Sequence, residues 1–307
     1  MAADFSRFWI WNVDPVMLRI GGAQIRWYSV CFFLVFALGY VVWHRQMVRA
    51  GHGVVPTSRI ILWSAAAVVI GGRLAEVAFY RPEHFLAHPR EIFDVQSGGL
   101  ASHGSATGLI VMLWLYARHY GYSTAEIADR FAMPAMLGAA LVRVGNFFNS
   151  EIVGREWTGP WAVRFPAYTA GNQAVWERAN GALGWVAQPL PRHPAQLYEA
   201  AGILAVFAIL WWVERRSGER RPRGLLAGLL LALYFSFRFA IEYTKEYQRF
   251  AKLAPDAAQQ VIRVVPDSAF TTGQYLSVPF ALLGVLAIVV ALRRKLPPTQ
   301  LSPWDSS

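Results

Sequence analysis

The 307-residue sequence predicts an all-α polytopic membrane protein: a bundle of about seven transmembrane helices with a small extramembrane domain that contains short strands. Two observations support this prediction. Hydrophobic residues make up 55% of the chain and charged residues only 16%, whereas a soluble domain has about 25% charged residues. The chain also contains separate apolar runs of about 20 residues, which is the length that crosses a bilayer as a helix.

Seven segments are predicted to cross the membrane, and three of them contain more than one charged side chain. The segments cover residues 28–44, 60–80, 104–120, 127–148, 196–213, 224–243 and 275–292. The second, fourth and sixth segments each contain two or more charges. A charge within the bilayer is costly and is usually retained for a function, so these segments are candidates for a site.

The predicted helices divide the chain into four parts. These are an N-terminal arm with the first four helices at 1–148, an extramembrane head domain at 149–195, the last three helices at 196–292, and a tail at 293–307. The head domain contains several Pro, Gly and Trp residues. Short strands are expected within it, near Trp161–Phe165 and Trp185–Gln188.

The distribution of Lys and Arg predicts the orientation of the chain in the membrane. Basic clusters at 45–59, 214–223 and 293–295 fall on one side if seven helices cross. Loops rich in Lys and Arg tend to stay in the cytoplasm, so this side is predicted to be cytoplasmic. The amino terminus is then outside and the carboxyl terminus inside.

The composition argues against several function classes. The net charge of +10 would suit a nucleic-acid-binding protein, but the basic residues cluster between apolar runs, so no nucleic-acid binding is expected. Because Cys31 is the single cysteine, no intrachain disulfide can form. This residue is expected to pack among apolar side chains without taking part in chemistry. No Walker loop, His-Glu-x-x-His helix or Gly-x-Ser-x-Gly elbow occurs, and neither a metal site nor a cofactor is predicted.

The densest group of polar residues ends the fourth predicted helix. It comprises Arg143, Asn146, Asn149 and Glu151, followed by Gly154. Arg143 and Asn146 are three residues apart and therefore share one helical face. A guanidinium beside amide donors matches a phosphate, because it offers a planar fork of hydrogen bonds and a permanent charge. The alternative is a polar helix end that simply meets water.

Two Arg–Glu sets lie within predicted helices. Arg73 and Glu76 are three residues apart in the second helix, and Arg238 and Glu242 are four apart in the sixth. Either spacing allows a structural ion pair inside the bundle. Arg238 also makes an anion site with two arginines plausible near the outer membrane level.

Two histidines stand at helix starts. His103 follows Gly98 and Gly99 and precedes Gly104, which suggests a tight turn that approaches a ligand. Imidazole titrates nearest neutral pH and suits a base, although a lone histidine is more often structural. His193 begins the fifth helix, where helix capping and substrate contact are both open for the polar residues that follow: Gln196, Tyr198 and Glu199.

Together these motifs resemble the prolipoprotein diacylglyceryl transferase family. The run from Arg143 to Gly154 is similar to the family signature Arg-x-Gly-Asn-Phe-x-Asn-x-Glu-x-x-Gly. Further matches cover about residues 14–290, in the expected order: Asp14-Pro15-Val16, Arg26-Trp27-Tyr28, Gly72-Arg73, His103-Gly104, the run from Arg192 to Glu199, Arg238-Phe239 with Glu242, and the run from Gly273 to Pro279.

The resemblance implies a multi-pass enzyme of the bacterial inner membrane, with the head domain in the periplasm. Members of this family move the diacylglyceryl group of phosphatidylglycerol to the thiol of a lipobox cysteine, beside the signal peptide of a preprolipoprotein. A thioether forms and glycerol-1-phosphate leaves, in the first step of lipoprotein maturation. The implied partners are phosphatidylglycerol, the preprolipoprotein signal peptide and membrane lipid. A monomer is expected.

The resemblance also implies residue roles. His103 takes the thiol proton, Arg143 binds the phosphate, and Arg238 is a second clamp or a gate. Substrate binding is assigned to Tyr28, Arg143, Asn146, Asn149, Glu151, Gly154, Arg238 and Glu242, with the two glutamates orienting or neutralising the arginines. Structural or secondary roles fall to Arg73, Glu76, His193, Gln196, Tyr198 and Glu199. A competing assignment gives the main catalytic role to an arginine and leaves His103 structural.

Other readings of the sequence remain open. Buried Arg and Glu in seven spans would also suit a transporter or channel for an anionic solute. An assembly protein without catalysis is a further alternative. The chain departs from the family pattern at Ser105, where another Gly is usual, and at 244–272, which is long and lacks the usual Arg-x-Pro-Asp stretch. The second departure suggests a family member with an altered acceptor or lipid donor.

Overall fold

The computed structural model describes residues 7–94, 99–168, 189–246, 270–297, 299 and 302–306. Helices dominate these residues. The α-helices are α1 (Trp27–Arg49), α2 (Val54–Ala75), α3 (Pro82–Ala87), α4 (Ser102–Tyr120), α5 (Thr124–Phe148), α6 (Ala195–Ser217), α7 (Leu225–Ile241) and α8 (Thr272–Arg294). A π-helical turn, Glu76–Tyr80, continues α2. The predicted all-α polytopic class is confirmed.

Six helices of the described chain are long and apolar enough to cross a membrane. They are Trp27–Arg49, Val54–Tyr80, Thr124–Phe148, Ala195–Arg220, Leu225–Thr244 and Thr272–Arg294. These coincide with six of the seven predicted spans. The remaining span, 104–120, corresponds to α4, which has 19 residues but begins with Ser-His-Gly-Ser and ends with Arg-His-Tyr. Those polar ends explain why α4 is not among the six.

Short strands occur before α1 and between α5 and α6. Strands β2 (Val16–Ile20) and β3 (Ala23–Arg26) form an antiparallel hairpin. Strand β1 (Trp9–Ile10) pairs in parallel with β4 (Val163–Arg164), which pairs antiparallel with β5 (Pro191–Arg192). The predicted strand near Trp161–Phe165 is thus present as β4. The one predicted at Trp185–Gln188, and most of the segment 244–272, lie outside the described residues.

The chain forms two compact units. Unit 1 contains residues 1–35, 135–209 and 229–286. Unit 2 contains residues 36–134, 210–228 and 287–307. In unit 1 an apolar cluster of Phe147, Val153, Val163 and Phe165 supports the segment that follows α5. In unit 2 aromatic and aliphatic side chains pack between α1, α2, α4 and α5: Trp43, Met47, Ile60, Met112, Tyr116, Ala117, Tyr120, Tyr122 and Ile127.

Glycines bring α2 and α4 into backbone contact in unit 2. A Cβ atom on Gly104 would lie 2.2 Å from the carbonyl oxygen of Gly71, and one on Gly108 would lie 2.3 Å from that of Ala67. Membrane helices associate closely through small residues spaced four apart, because lipid supplies no hydrophobic drive between them. The Gly104–Gly108 spacing follows this pattern and fixes α4 beside α2.

Replacing Gly108 with valine is expected to destabilise unit 2 by about 1–3 kcal/mol, because the added side chain must push α2 away. Thermal unfolding of the purified protein in detergent measures the change. Ala106→Val, on the exposed face of the same helix, is the matched control and should change stability by no more than about 0.5 kcal/mol. Equal melting temperatures for the two variants would show that the helices do not meet at Gly108.

A buried arginine in unit 2 forms ion pairs with two glutamates. The Arg130 side chain is fully buried and pairs with Glu126 and Glu219, each at 3.1 Å. It also donates to the hydroxyl of Thr299 and to the backbone carbonyl of Gln46. A buried charge of this kind is tolerated only when its partners satisfy it, so these contacts hold α1, α5 and the tail to one another.

Asp305 joins the C-terminal tail to the rest of unit 2. This carboxylate accepts hydrogen bonds from the backbone N–H of Gly53 at 3.0 Å and of Ser302 at 2.8 Å, and from the hydroxyl of Tyr122 at 2.7 Å. The imidazole of His52 lies between Asp305 and Glu126. Burial alone would raise the pKa of Asp305, but the hydrogen bonds outweigh burial and hold this pKa below its usual value.

Asp305→Asn is expected to lower the free energy of unfolding by about 1.5–3 kcal/mol, since hydrogen bonds to a charged acceptor are lost. Because the folded pKa is depressed, the wild-type contribution is present above the unfolded pKa of about 3.9 and is lost as the pH falls below it. Denaturant unfolding at pH 7 measures the loss. Asp14→Asn, at an exposed carboxylate, is the control, and equal losses for both variants would contradict a docked tail.

Candidate active site

The segment after α5 has a defined and strained backbone. The N–H of Glu151 bonds to the carbonyl of Asn146, and the N–H of Ser150 to that of Phe147, which together form a Schellman ending of the helix. Ser150 has φ of 54° and Ile152 has φ of 55°. Positive φ is rare for a residue with a branched side chain and is typical of functional sites. The turn aims the Glu151 side chain back towards the last turns of α5.

A chain of polar contacts joins the predicted residues at this helix end. The Nη1 of Arg143 donates to Asn146 at 3.3 Å, and the Nδ2 of Asn146 donates to Glu151 at 3.2 Å. Asn149 donates to the second oxygen of Glu151 at 3.0 Å. The two amides thus fix both oxygens of one carboxylate. Four side chains that the sequence predicted as a site are therefore in contact.

Arg143 keeps hydrogen-bond donors free. Its Nε pairs with Glu199 at 3.0 Å and its Nη1 with Asn146, while its Nη2 has no partner among the described residues. The side chain is 18% exposed. A guanidinium has five N–H groups in one plane, so the free edge can donate to an anion. This geometry suits a phosphate that approaches the end of α5.

Glu199 joins two cations. One oxygen pairs with Arg143, and the other lies 2.5 Å from the Nζ of Lys245. Lys245 also reaches Glu242 at 3.5 Å. The Glu199 side chain is only 3% exposed, so both contacts are shielded from water. Glu199 is therefore a structural junction of the site.

Lys245 is the residue that the sequence analysis missed. It follows the short 3-10 turn Glu242–Thr244 at the end of α7 and resembles the basic residues that commonly flank membrane spans. Its partner Glu199 is 46 positions away, so no helical spacing links the two. One signal in the sequence pointed to such a residue: Glu199 lies in the first turns of α6. A buried carboxylate requires a cation as its partner, and that cation can come from a distant part of the chain.

The carboxylate of Glu242 does not pair with Arg238, so the ion pair that the four-residue spacing allowed is wrong. Glu242 contacts Lys245 and accepts a hydrogen bond from Thr271 at 3.3 Å. Gly273 lies close by, since a Cβ there would be 2.8 Å from the Glu242 carboxylate. These contacts draw Glu242 towards the start of α8.

Arg238 is half-buried near the end of α7 and has no hydrogen bond or ion pair with any residue that the structure describes. An arginine in a membrane span is expensive to leave without a partner. Its unpaired guanidinium therefore favours a role in binding an anionic ligand over the role of a structural ion pair.

Gly154 is required by close backbone contacts. A Cβ at this position would lie 2.5 Å from the Cβ of His193 and 2.7 Å from the carbonyl oxygen of Thr244. The N–H of Gly154 bonds to the carbonyl of His193 at 3.0 Å. Any larger residue would separate the segment after α5 from the entry to α6.

The imidazole of His193 belongs to an aromatic cluster. It stacks on Trp157 with ring centroids 4.2 Å apart, and its Nδ1 lies 3.3 Å from the hydroxyl of Tyr198. Tyr198 accepts a hydrogen bond from Trp161 at 2.6 Å. Burial, aided by the charge of Arg155, lowers the pKa of His193, so the ring is neutral at pH 7. These contacts support a structural role for His193 and Tyr198.

Two amide oxygens of the site have no hydrogen-bond partner among the described residues. Gln196 is fully buried and donates through Nε2 to the backbone carbonyl of Glu151 at 2.6 Å, which leaves its Oε1 free. The Oδ1 of Asn149 is also buried and free. A backbone carbonyl and a carboxylate only accept, so these contacts fix which amide atom is the oxygen. The site thus contains two unused acceptors.

Tyr28 packs on α5 one turn away from Asn149. A Cβ on Gly145 would lie 2.9 Å from the Tyr28 ring, so only glycine lets the ring approach the helix. Tyr28 is half-buried and stacks on Phe32. Tyr28 and Arg143 both lie in unit 1, and the contact of Tyr28 with a ligand headgroup stays a prediction.

His103 lies in unit 2, at the second residue of α4. It is exposed, and its imidazole makes no hydrogen bond within the part of the chain that the structure describes. The next two residues both contact α2. Gly104 packs against it, and the hydroxyl of Ser105 donates to the carbonyl of Val68 at 2.9 Å. Ser105, which departs from the family pattern, therefore anchors the turn that presents His103.

Arg73 and Glu76 have separate partners, so their predicted mutual neutralisation is wrong. Arg73 is buried and donates to the backbone carbonyls of Ile92 at 2.9 Å and Asp94 at 2.8 Å. Glu76 pairs instead with Arg81 at 3.1 Å. These backbone carbonyls accept hydrogen bonds from the buried guanidinium and so provide partners for its charge.

Sequence comparisons identify related proteins over nearly the whole chain. The family model described as prolipoprotein diacylglyceryl transferase matches residues 15–290. A protein of Tolumonas auensis named phosphatidylglycerol–prolipoprotein diacylglyceryl transferase is 35% identical over 286 residues, which cover 93% of this chain and 98% of that protein. One of the same name from Bordetella bronchiseptica is 37% identical over 279 residues, 89% of this chain and 93% of that protein. A third, from Chloroherpeton thalassium, is 34% identical over 292 residues, 95% of this chain and 97% of that protein. Since the match extends from the first strands to the last helix, the chain belongs to the prolipoprotein diacylglyceryl transferase family and is a transferase.

Proposed function

We propose that this protein transfers the diacylglyceryl group of phosphatidylglycerol to the thiol of a lipobox cysteine in preprolipoproteins, the first step of lipoprotein maturation. The observation that best supports this function is the free edge of the Arg143 guanidinium at the end of a membrane-spanning helix. A phosphodiester at the membrane surface is an anion that such an edge can bind.

The proposed reaction makes one bond and breaks one. The cysteine sulfur attacks the glycerol carbon that carries the phosphate ester, and the carbon–oxygen bond breaks. A thioether forms and glycerol-1-phosphate leaves with the bonding electrons. The thiol proton passes to His103. A thiolate is the competent nucleophile, and an ordinary cysteine has a pKa of about 8.5, so a base is needed at neutral pH.

The proposed substrate contacts follow the geometry of unit 1. Arg143 binds the phosphate from the end of α5, and Arg238 is a second clamp from α7. Asn146 and Glu151 position Arg143, while Glu242 orients the start of α8. Tyr28 contacts the headgroup. These roles need no residue from a second copy, so we propose that the protein acts as a monomer.

The free amide oxygens suggest how the headgroup is selected. Oε1 of Gln196 and Oδ1 of Asn149 are acceptors without a partner among the described residues. The glycerol headgroup of phosphatidylglycerol carries two hydroxyl donors that can satisfy them. A choline headgroup has no donor, so binding it would leave both oxygens unsatisfied at a cost of about 1–3 kcal/mol each.

We further propose the location and the domain arrangement. The protein lies in the bacterial inner membrane with its amino terminus outside and its carboxyl terminus in the cytoplasm. The basic segments 45–59, 214–223 and 293–295 support this orientation, because such segments stay in the cytoplasm. Residues 149–195 then form a periplasmic head domain that covers the site or guides the peptide.

In vitro transfer tests the proposed function. The purified protein is incubated with phosphatidylglycerol and a lipobox peptide, and the peptide mass is measured. The expected product carries one diacylglyceryl group on the cysteine, and a Cys→Ser peptide gives none. A product formed only with another phospholipid would support an altered lipid donor. Solute flux in vesicles without any covalent product would instead indicate a transporter.

Glu199→Gln is expected to slow transfer by about 10- to 100-fold. Glutamine keeps the shape but loses the charge that holds Arg143 and Lys245, and a charge-assisted hydrogen bond contributes about 1.5–3 kcal/mol. Steady-state kinetics should show the loss mainly in kcat, with partial rescue by Glu199→Asp. Glu156→Gln, at an exposed glutamate of the head, is the control. A full rate for Glu199→Gln would mean that the junction does not position Arg143.

A further inference from the structure

The connection between α2 and α4 brings together three side chains that bind metals in other proteins. They are His84, His88 and Glu91, all exposed. One ligand atom from each lies within 4.8 Å of the other two. None of them belongs to the site described above, and no role in transfer is proposed for them.

The three groups have a ligand set typical of zinc. Two imidazoles and a carboxylate bind Zn²⁺ and similar divalent ions. His84 lies in α3, and His88 is the residue that follows this helix. Nε2 of His84 already lies 2.8 Å from Oε2 of Glu91, and the two imidazole rings stack with centroids 5.0 Å apart. Ligands around a tetrahedral Zn²⁺ lie about 3.3 Å apart. Small rotations of exposed side chains are enough to reach that spacing.

The orientation of His88 supports metal binding independently. Its Nδ1 lies 3.3 Å from the backbone carbonyl oxygen of His84. A carbonyl only accepts, so Nδ1 carries the proton in this contact and Nε2 keeps its lone pair. Metal-binding histidines commonly donate their second ring nitrogen to a backbone carbonyl in this way.

A buried arginine holds the backbone that carries Glu91. Arg73 is 5% exposed and donates to the carbonyl oxygens of Glu91, Ile92 and Asp94. The third ligand is therefore attached to a fixed part of the chain, which lowers the ordering cost when an ion binds. Glu91 supplies the anionic ligand of the set, which attracts a cation.

We propose that His84, His88 and Glu91 form a binding site for a divalent transition-metal ion of the Zn²⁺ type, with water in the remaining coordination positions. The simpler alternative is a surface ion pair between His84 and Glu91 that binds no metal. The proposal does not depend on the proposed transfer activity, because metal binding is measured without substrate.

Calorimetric titration with Zn²⁺ tests the site in the purified, full-length protein without a histidine tag. One Zn²⁺ per chain should bind, and His88→Ala and Glu91→Gln should each weaken binding at least tenfold. His44→Ala, at an exposed histidine of α1, is the matched control and should leave binding unchanged. A second readout is the melting temperature, which Zn²⁺ should raise in the wild type and in His44→Ala but not in His88→Ala.

Two results would overturn the proposal. One is the absence of Zn²⁺ binding to the wild type at millimolar concentrations, which is what a simple ion pair predicts. The other is binding that survives both His88→Ala and Glu91→Gln. All three side chains are exposed, so these variants are expected to fold, and an unchanged melting temperature without metal verifies this. Weaker binding at lower pH would agree with competition between protons and metal for the ligand atoms.

Discussion

Arg143→Ala is expected to lower the transfer rate by about 100- to 1,000-fold. The leaving phosphate gains negative charge as the carbon–oxygen bond breaks, and loss of one anion-stabilising donor costs about 3–4 kcal/mol. Arg143 is suited to this task because Glu199 and Asn146 fix its Nε and Nη1 while Nη2 stays free. Single-turnover transfer to a lipobox peptide at saturating lipid measures the effect.

Two further variants show whether the loss reflects the geometry of the guanidinium. Arg143→Lys keeps the charge but not the planar fork, so its rate should lie between those of the wild type and Arg143→Ala. Arg216→Ala removes an exposed arginine at the end of α6 and should leave transfer unchanged. A near-normal rate for a folded Arg143→Ala protein would rule out phosphate binding by this residue.

His103→Gln is expected to lower the rate by about 100- to 10,000-fold, the usual contribution of a positioned base. Glutamine retains hydrogen bonding but cannot take a proton near neutral pH. A base cannot take the thiol proton once it is itself protonated, so the wild-type rate should fall as the pH is lowered, and this acid limb should vanish in the variant. A pH–rate profile between pH 5 and 9 measures both effects.

The same profile distinguishes the two catalytic assignments. If an arginine carries the main role and His103 is structural, His103→Gln should lower the rate equally at all pH values and should also lower the melting temperature. His44→Gln, at an exposed histidine of α1, is the control and should change neither quantity. An unchanged acid limb in His103→Gln would exclude His103 as the base.

Local sequence patterns predict much of the fold. The apolar runs predicted six of the spans with ends within seven residues of those observed, because the bilayer constrains the length and composition of a membrane helix. The third predicted span is present as α4, but its first and last turns are polar. Hydropathy alone does not predict the contacts that these polar turns make. The contact of the α4 glycines with α2 could not be predicted, because the sequence does not show which helices are neighbours.

The site was predictable where its residues are close in the sequence. Arg143, Asn146 and Glu151 are within nine positions, and the helical spacing with the turn at Ser150 brings them together. Lys245 was not predictable, because its partner Glu199 comes from a distant helix. The Arg73–Glu76 pair was predicted wrongly for the same reason, since the carbonyls that satisfy Arg73 lie 18 or more positions away.

Buried charges of unit 2 were also missed. Asp129 accepts the N–H groups of Gly224 at 2.7 Å and Ala227 at 2.8 Å, and so caps the start of α7 from within α5. Helix starts commonly use a carboxylate for this purpose, but usually one from their own sequence. Spacing arguments along one helix cannot find a cap that another helix supplies.

Binding of one phosphate by two arginines is best examined in an experimental structure with phosphatidylglycerol bound. Phosphate oxygens should accept hydrogen bonds from the guanidinium groups of both Arg143 and Arg238, at about 2.7–2.9 Å. A bound headgroup whose phosphate lies beyond hydrogen-bonding distance of both guanidiniums would contradict the proposed mechanism.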